Sequence, residues 1–251
     1  IYLEKPLSSD LKGWRKYYEM SKKGTLGKEI TVGYFLRFHP VIQEIKKIIH
    51  EKKFGEILYA RAVDGFYLPY WHPYEDYKSF YMSSRALGGG ALLDTSHEID
   101  YICWLFGEIK EVYGNVQHVS NLDIHADDLT RISAQTTKGI NLDIHLDLLQ
   151  FEEERSIQII FEKSVIKASL IDGNISIITP NDNDNISYKL EVNFDELYYL
   201  AYDEFFKDEN KSKSRSSSTL HEAFKILEVI EAVRLSSSLG SKVTLPLWTI
   251  N

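Results

Sequence analysis

Hydrophobic and polar positions follow two rhythms along this chain, and the change falls near residue 108. In the first part, apolar residues recur at helical spacing between short β-branched runs. Ile1-Tyr2-Leu3 is apolar and ends at Glu4-Lys5-Pro6. Proline cannot continue a ladder, so a strand stops there. Ser8, Ser9 or Asp10 can cap a helix running to about Lys23, with Leu11, Trp14, Tyr17, Tyr18 and Ser21 on one face and Gly24 and Gly27 at its end. Ile30 to Phe35 is β-branched and aromatic and predicts a second strand. Strand, helix and strand in succession make one βαβ unit, whose parallel strands require cover on both faces.

A second helix starts near Pro40 and places Val41, Ile42, Ile45, Ile48 and Ile49 on one broad face until Gly55. A strand over Ile57 to Phe66 follows. Tyr67 to Ser84 is aromatic and broken by proline, and so long a stretch without a period is often functional. After Gly88-Gly89-Gly90 the pattern predicts one helix to about Phe106, stopped by Gly107. From Glu108 to Val192 the period becomes two. Asn141 to Leu148 alternates strictly, so Leu142, Ile144, Leu146 and Leu148 share a face, and Arg155 to Ile159 does the same. Gly139, Asp172-Gly173 and Asn181 to Asn185 read as turns, giving an antiparallel sheet of roughly six strands. Its second face is polar but mixed, fit for solvent or for a subunit interface. Two helices, Phe194 to Lys207 and Leu220 to Ser238, flank a Ser/Lys-rich linker, Lys211 to Ser218, and a strand over Lys242 to Leu245 closes the pattern.

Composition narrows the class. With 43% hydrophobic and 26% charged residues, this is an ordinary globular balance. No run approaches the roughly 20 apolar residues of a membrane span. A formal charge of −8 is the opposite of a nucleic-acid-binding surface. The single cysteine, Cys103, cannot form an internal disulfide, which fits a reducing cytoplasm. The opening residues meet Glu4 and Lys5 within one turn, unlike a secretory leader.

Two places could carry chemistry. Lys5 ends a strand of the βαβ unit, at the edge where open parallel sheets bind ligands, although a surface lysine beside a turn reads the same way. The run Gly88-Gly89-Gly90 through Asp94, His97, Glu98 and Asp100 lets backbone approach a ligand or another chain closely. It would bracket His97 with Asp94 and Asp100 on nearly one helix face. A histidine oriented by carboxylates shuttles protons near neutral pH; a helix with acidic residues in its first turn is equally consistent. Metal binding is not indicated, because Tyr101 stands where a zincin-type helix needs its second histidine. Cys103 lies among Ile102, Trp104 and Leu105 and reads as core. The aromatics from Tyr67 to Tyr81, Trp71 and Tyr77 among them, can stack a sugar or base or simply pack. Arg85 can meet an anion or remain a surface charge.

Glu4-Lys5-Pro6, then Val32-Gly33-Tyr34-Phe35-Leu36-Arg37-Phe38-His39-Pro40, then Gly88-Gly89-Gly90 through His97-Glu98-Ile99-Asp100 resemble, in order and separation, the motifs of the glucose–fructose oxidoreductase/inositol dehydrogenase (Gfo/Idh/MocA) family. The resemblance covers nearly the whole chain. It implies an α+β fold: a large open, mostly antiparallel sheet with helices on one face, preceded by the last βαβ remnant of a Rossmann domain. The division would be 1–36 for the remnant and 37–251 for the substrate-binding and oligomerisation domain. It implies an NAD- or NADP-dependent oxidoreductase acting on a sugar, cyclitol or sugar nucleotide, and a cytoplasmic homo-oligomer joined through the sheet. Glu4, Lys5 and Pro6 would lie at the cofactor. Lys5 and His97 would be catalytic, with Asp94 assisting from three residues before the histidine rather than the usual four. Trp71, Tyr77, Arg85 and Arg37 would meet substrate.

None of the 14 glycines forms the family's Gly-x-Gly-x-x-Gly fingerprint, and Gly24-Thr25-Leu26-Gly27 follows a helix rather than a strand. The expectation is therefore the C-terminal part of a longer protein, inactive alone. The rival reading is a non-catalytic ligand-binding or assembly module that keeps the sheet for self-association.

Overall fold

Residues 1–25, 30–207 and 216–247 are described in a computed structural model. The expected glycine at 27 and residues 211–215 of the linker lie outside the described residues. Strand β1 (Tyr2–Leu3) leads to helix α1 (Trp14–Lys22) and strand β2 (Thr31–Val32), which pairs with β1 in parallel. The βαβ unit is present, with two adjustments. Helix α1 starts later than Ser8–Asp10 predict, because the Asp10 carboxylate accepts from the Lys12 amide at 2.7 Å and holds a turn. Gly13, at φ 85°, then enters the helix. Strand β2 ends early because the Tyr34 amide turns back to the Val32 carbonyl at 2.8 Å, and a 3₁₀ turn, Phe35–Phe38, follows.

Helix α2 (Pro40–Glu51) begins at the predicted proline and buries Val41, Ile42, Ile45 and Ile48. His39 caps it, Nδ1 accepting from the Val41 amide at 3.2 Å while Nε2–H donates to the Leu170 carbonyl at 2.9 Å. Strand β3 (Ile57–Tyr67) runs into a short helix α3 (Leu68–Trp71). The aromatic stretch beyond it is folded into 3₁₀ turns at Tyr77–Ser79, Tyr81–Ser83 and Arg85–Leu87. The single helix expected after the glycines is two, α4 (Ala91–Asp94) and α5 (His97–Phe106), the latter ending at Gly107. The Thr95 hydroxyl bonds back to the Ala91 carbonyl at 2.5 Å, competing with continuation of the ladder.

The period-two region forms seven strands rather than six: β4 (Ile109–Gln117), β5 (Leu129–Thr136), β6 (Asn141–Asp147), β7 (Leu149–Phe161), β8 (Val165–Ser169), β9 (Asn174–Ile178) and β10 (Ile186–Lys189). Helix α6 (Phe194–Lys207), strand β11 (Ser218–Thr219), helix α7 (Leu220–Leu239) and strand β12 (Val243–Thr244) complete the described elements. The large sheet has nine strands in the order β10-β9-β8-β7-β3-β6-β5-β4-β12. All its pairings are antiparallel except β3 with β6. The small sheet is β1-β2-β11, with β11 antiparallel to β2.

Alternation places Ala60, Ala62, Ile132, Leu142, Ile144, Ile157 and Ile159 in the core under the helices, while Arg61, Arg131, Asp143 and Lys167 border open grooves on the opposite face. Helix α7 is buried almost all round because it lies between β4 and α1. A Thr219–Glu222 capping box starts it and left-handed Gly240 ends it. Among the described residues, no helix is long and apolar enough to cross a membrane.

Candidate active site

The C-terminal ends of the parallel strands β1 and β2 meet the break between α4 and α5. Gly33 donates its amide to the Leu3 carbonyl at 2.8 Å, which keeps the two strand ends together. A Cβ at Gly33 would stand 2.9 Å from the Tyr2 hydroxyl and 3.2 Å from Glu4 Oε2, so this crossing has no room for a side chain. From β1 emerge Glu4, Lys5 and Pro6; from β2 emerge Tyr34 and Phe35.

Lys5 Nζ donates to the main-chain carbonyl of Asp94 at 2.6 Å and lies 3.5 Å from Asp94 Oδ1. The Tyr81 hydroxyl donates to the same Oδ1 at 2.6 Å. Burial, then the Asp94 charge, pushes the Tyr81 phenol above its ordinary value, so it stays a neutral donor. Tyr81 belongs to the aromatic stretch without having been distinguishable there. Its signal was only its proximity in sequence to the glycines.

His97 opens α5 and is 4% exposed. Tyr34 and Phe35 meet its ring edge-on, with centroids at 5.5 and 4.5 Å. Neither ring nitrogen has a hydrogen-bond partner among the described residues. Burial, then the cations of Lys5 and Arg155, hold its pKa well below the ordinary histidine value, so the imidazole is neutral. The expected bracketing by carboxylates is corrected here. The helix break turns Asp94 toward Lys5 and Tyr81, and Asp100 is engaged elsewhere.

Asp100 pairs with Arg37, which donates from Nε and Nη2 to the two carboxylate oxygens at 2.8 and 2.7 Å. Arg37 Nη1 donates to Glu222 at 2.9 Å. Arg37 is fully buried, so the expectation that it contacts substrate is also corrected: its guanidinium ties α5 to α7. It borders a cavity of about 250 Å³ whose lining includes none of Lys5, Asp94 and His97.

The three glycines serve the chain itself. A Cβ at Gly89 would strike the Tyr81 and Met82 carbonyls, and one at Gly90 would strike the Asp127 carboxylate. Asp127 accepts from the Leu92 amide at 2.8 Å and caps α4. Trp71 packs on Phe66 at the start of the aromatic stretch, the Tyr77 hydroxyl accepts from the Asp123 amide at 3.4 Å, and Arg85 is exposed beside Gly88. Tyr81 is the member of that stretch that reaches Asp94. Glu4 is exposed and accepts from the Tyr202 hydroxyl of α6 at 3.1 Å. Phe35 packs on Tyr198 of the same helix with ring centroids 4.2 Å apart, so α6 walls the site on one side. Among the described residues, no group of three or more His, Cys, Asp or Glu is arranged for a metal.

Sequence comparison with curated proteins finds no match. A family profile, the GFO/IDH/MocA C-terminal domain, matches residues 42–167. Among solved structures, the chain is similar to an NAD binding oxidoreductase from Klebsiella pneumoniae: TM-score 0.83, 14% identity, covering 97% of this chain and 73% of that one. It is similar to the WlbA dehydrogenase from Bordetella pertussis in complex with NADH and UDP-GlcNAcA: TM-score 0.76, 20% identity, covering 98% and 72%. It is also similar to levoglucosan dehydrogenase in complex with NADH and levoglucosan: TM-score 0.80, 18% identity, covering 99% and 74%.

Proposed function

The chain belongs to the GFO/IDH/MocA family of oxidoreductases, and from that premise we propose that it carries the proton-handling, substrate-facing part of an NAD- or NADP-dependent dehydrogenase or reductase of sugars, cyclitols or sugar nucleotides. The observation that carries this reading is His97, a buried, neutral imidazole with no hydrogen-bond partner among the described residues, close enough to Lys5 to feel its charge. A core histidine kept for structure makes bonds, as His39 does on both nitrogens.

The residues present fit the nicotinamide end of such a cofactor. Lys5 leaves a parallel strand at its C-terminal end, and the His97 imidazole senses its charge. Residues of the pyrophosphate-binding fingerprint are not among the 251 of this sequence. When bound, the dinucleotide supplies or accepts a hydride at the nicotinamide C4.

His97 takes the hydroxyl proton of the substrate during oxidation and returns it during reduction, a task for an imidazole that is neutral at rest. The Lys5 ammonium stabilises negative charge as it builds on the reacting oxygen. Asp94, fixed by Tyr81, aims that ammonium. In the 68–87 segment the exposed Trp71 and Arg85 and the half-buried Tyr77 offer ring faces and a cation to a sugar-like substrate. The similarity to levoglucosan dehydrogenase in complex with levoglucosan and to the WlbA dehydrogenase in complex with UDP-GlcNAcA supports that class. The half-buried, free Cys103 is compatible with a cytoplasmic setting.

The test is His97→Ala and Lys5→Ala in the intact gene product, assayed for nicotinamide-dependent oxidation across sugars, cyclitols and sugar nucleotides. Full activity in either variant would sink the assignment. The open nine-stranded sheet supports a second reading, an assembly module without catalysis. Calorimetry with NADH distinguishes them: no binding by the intact gene product supports the module.

A further inference from the structure

One residue beyond His97, Glu98 enters the layer between α5 and the large sheet. There it meets Asp64 of β3 and Arg155 of β7, which face each other directly across the two strands. Both lie on the helix-facing side, in phase with Ala60 and Ala62 on one strand and Ile157 and Ile159 on the other. Arg155 Nη2 donates to Asp64 Oδ2, and Arg155 Nε lies 3.0 Å from Glu98 Oε1. The Asp64 and Glu98 side chains are fully buried and Arg155 is 13% exposed. One guanidinium therefore faces two carboxyl groups away from water.

Among the described residues, Asp64 Oδ1, both Glu98 oxygens, Arg155 Nε and the Tyr101 hydroxyl are buried without hydrogen-bond partners. Two acceptor-only groups side by side cannot bond to each other; a proton between them makes one a donor. Ionising both would also leave one uncompensated negative charge in a desolvated layer, which proteins avoid by retaining a proton.

We propose that Glu98 keeps its proton at neutral pH and presents it to the Asp64 carboxylate, so that with Arg155 they form a neutral buried unit that positions His97 at the start of α5. Burial raises Glu98 well above the ordinary carboxylate range; Arg155 opposes this and the Asp64 charge adds to it. The other titratable groups sensing the unit are Tyr101, itself pushed well up by burial, Glu153 on β7, His39 ahead of α2, Tyr198 on α6 and His97. Because the folded pKa of Glu98 exceeds its unfolded value, its contribution to stability is complete below the unfolded pKa and is lost as pH rises through the folded one. Glu98→Gln removes that slope while keeping the shape of the protonated acid.

The experiment is infrared difference spectroscopy of the wild-type chain against Glu98→Gln at pH 7, with a pH series. A protonated-carboxyl C=O band present in wild type, retained through neutrality and absent from the variant is the expected result. The His97 ring resonances should be unchanged in Glu98→Gln and displaced in Glu98→Leu, a readout that general loosening of the fold would not sort between the two. No C=O band in wild type at pH 7 overturns the proposal. Should Glu98→Gln fail to fold, ¹³C-glutamate labelling of the wild type decides: the band must move to lower wavenumber, and an unmoved band overturns the assignment to Glu98. These readouts need no substrate, so they stand or fall apart from the dehydrogenase reading.

Discussion

Replacing Arg37 with methionine keeps most of the side-chain volume and removes the cation that, among the described residues, reaches Asp100 through hydrogen bonds. Three charge-assisted bonds are lost, one of them to Glu222, which is 38% exposed and keeps its capping bond with Thr219. Glu222 can recover water, so the damage falls on Asp100. Removing one partner of a buried ion pair costs about 3–5 kcal/mol. For a protein of this size that corresponds to roughly 6–20 °C in Tm, at about 2–4 °C per kcal/mol.

Burial already pushes the Asp100 carboxyl up to about 6 against the pull of Arg37, and without the arginine it rises further. A folded pKa above the unfolded one means the stability deficit of the variant is smallest in acid and grows as pH rises. Urea titrations at pH 5 and pH 8 measure this, with Asp100→Asn in the Arg37→Met background as the rescue. A loss below about 1 kcal/mol at pH 8, or no rescue by the asparagine, would refute the assignment of Arg37 to the core.

Three further outcomes follow from packing and titration. His39, buried and bonded at both nitrogens, has its pKa lowered to about 4 by burial. Its contribution is therefore present above the unfolded histidine pKa and lost as pH falls toward the folded value, roughly 3 kcal/mol in all. Urea midpoints between pH 7 and pH 4 should fall less steeply in His39→Asn. A Cβ at Gly114 would stand 2.6 Å from the Val233 carbonyl oxygen, so Gly114→Ala should destabilise by about 1–3 kcal/mol by pushing α7 off β4; calorimetric melting checks this. Thr219→Ala removes the capping box of α7 and should cost about 1 kcal/mol, whereas an unchanged melting temperature would mean that burial alone holds that helix end.

What could be read from the sequence was periodic or punctuated. The strict alternation from Asn141 to Leu148, the proline opening α2 and the bounds of α6 are local facts, and the structure agrees with them. Partnership was not local. Arg37 reads as a ligand contact because Asp100 is 63 residues away and Glu222 is 185 away. The break at Thr95-Ser96 depends on a back-bonding hydroxyl that periodicity ignores. Asp64 and Arg155 carried a faint signal, charged residues in phase with buried alanines and isoleucines, but only the pairing of β3 with β7 joins them.

That pairing also governs when the site can exist. Strand β3 is the first strand of the large sheet to leave the ribosome, yet its neighbours β6 and β7 begin at residues 141 and 149. Helix α5 is likewise complete in sequence long before the strand carrying Arg155. Such distant closures are slow because chain entropy is lost before the contacts form. Until β6 and β7 arrive, β3 has bare edges, and until β7 arrives Glu98 has no counter-charge, a state open to aggregation and to chaperone capture. A chain truncated anywhere before residue 149 should therefore fail as a folding unit rather than merely lose a strand.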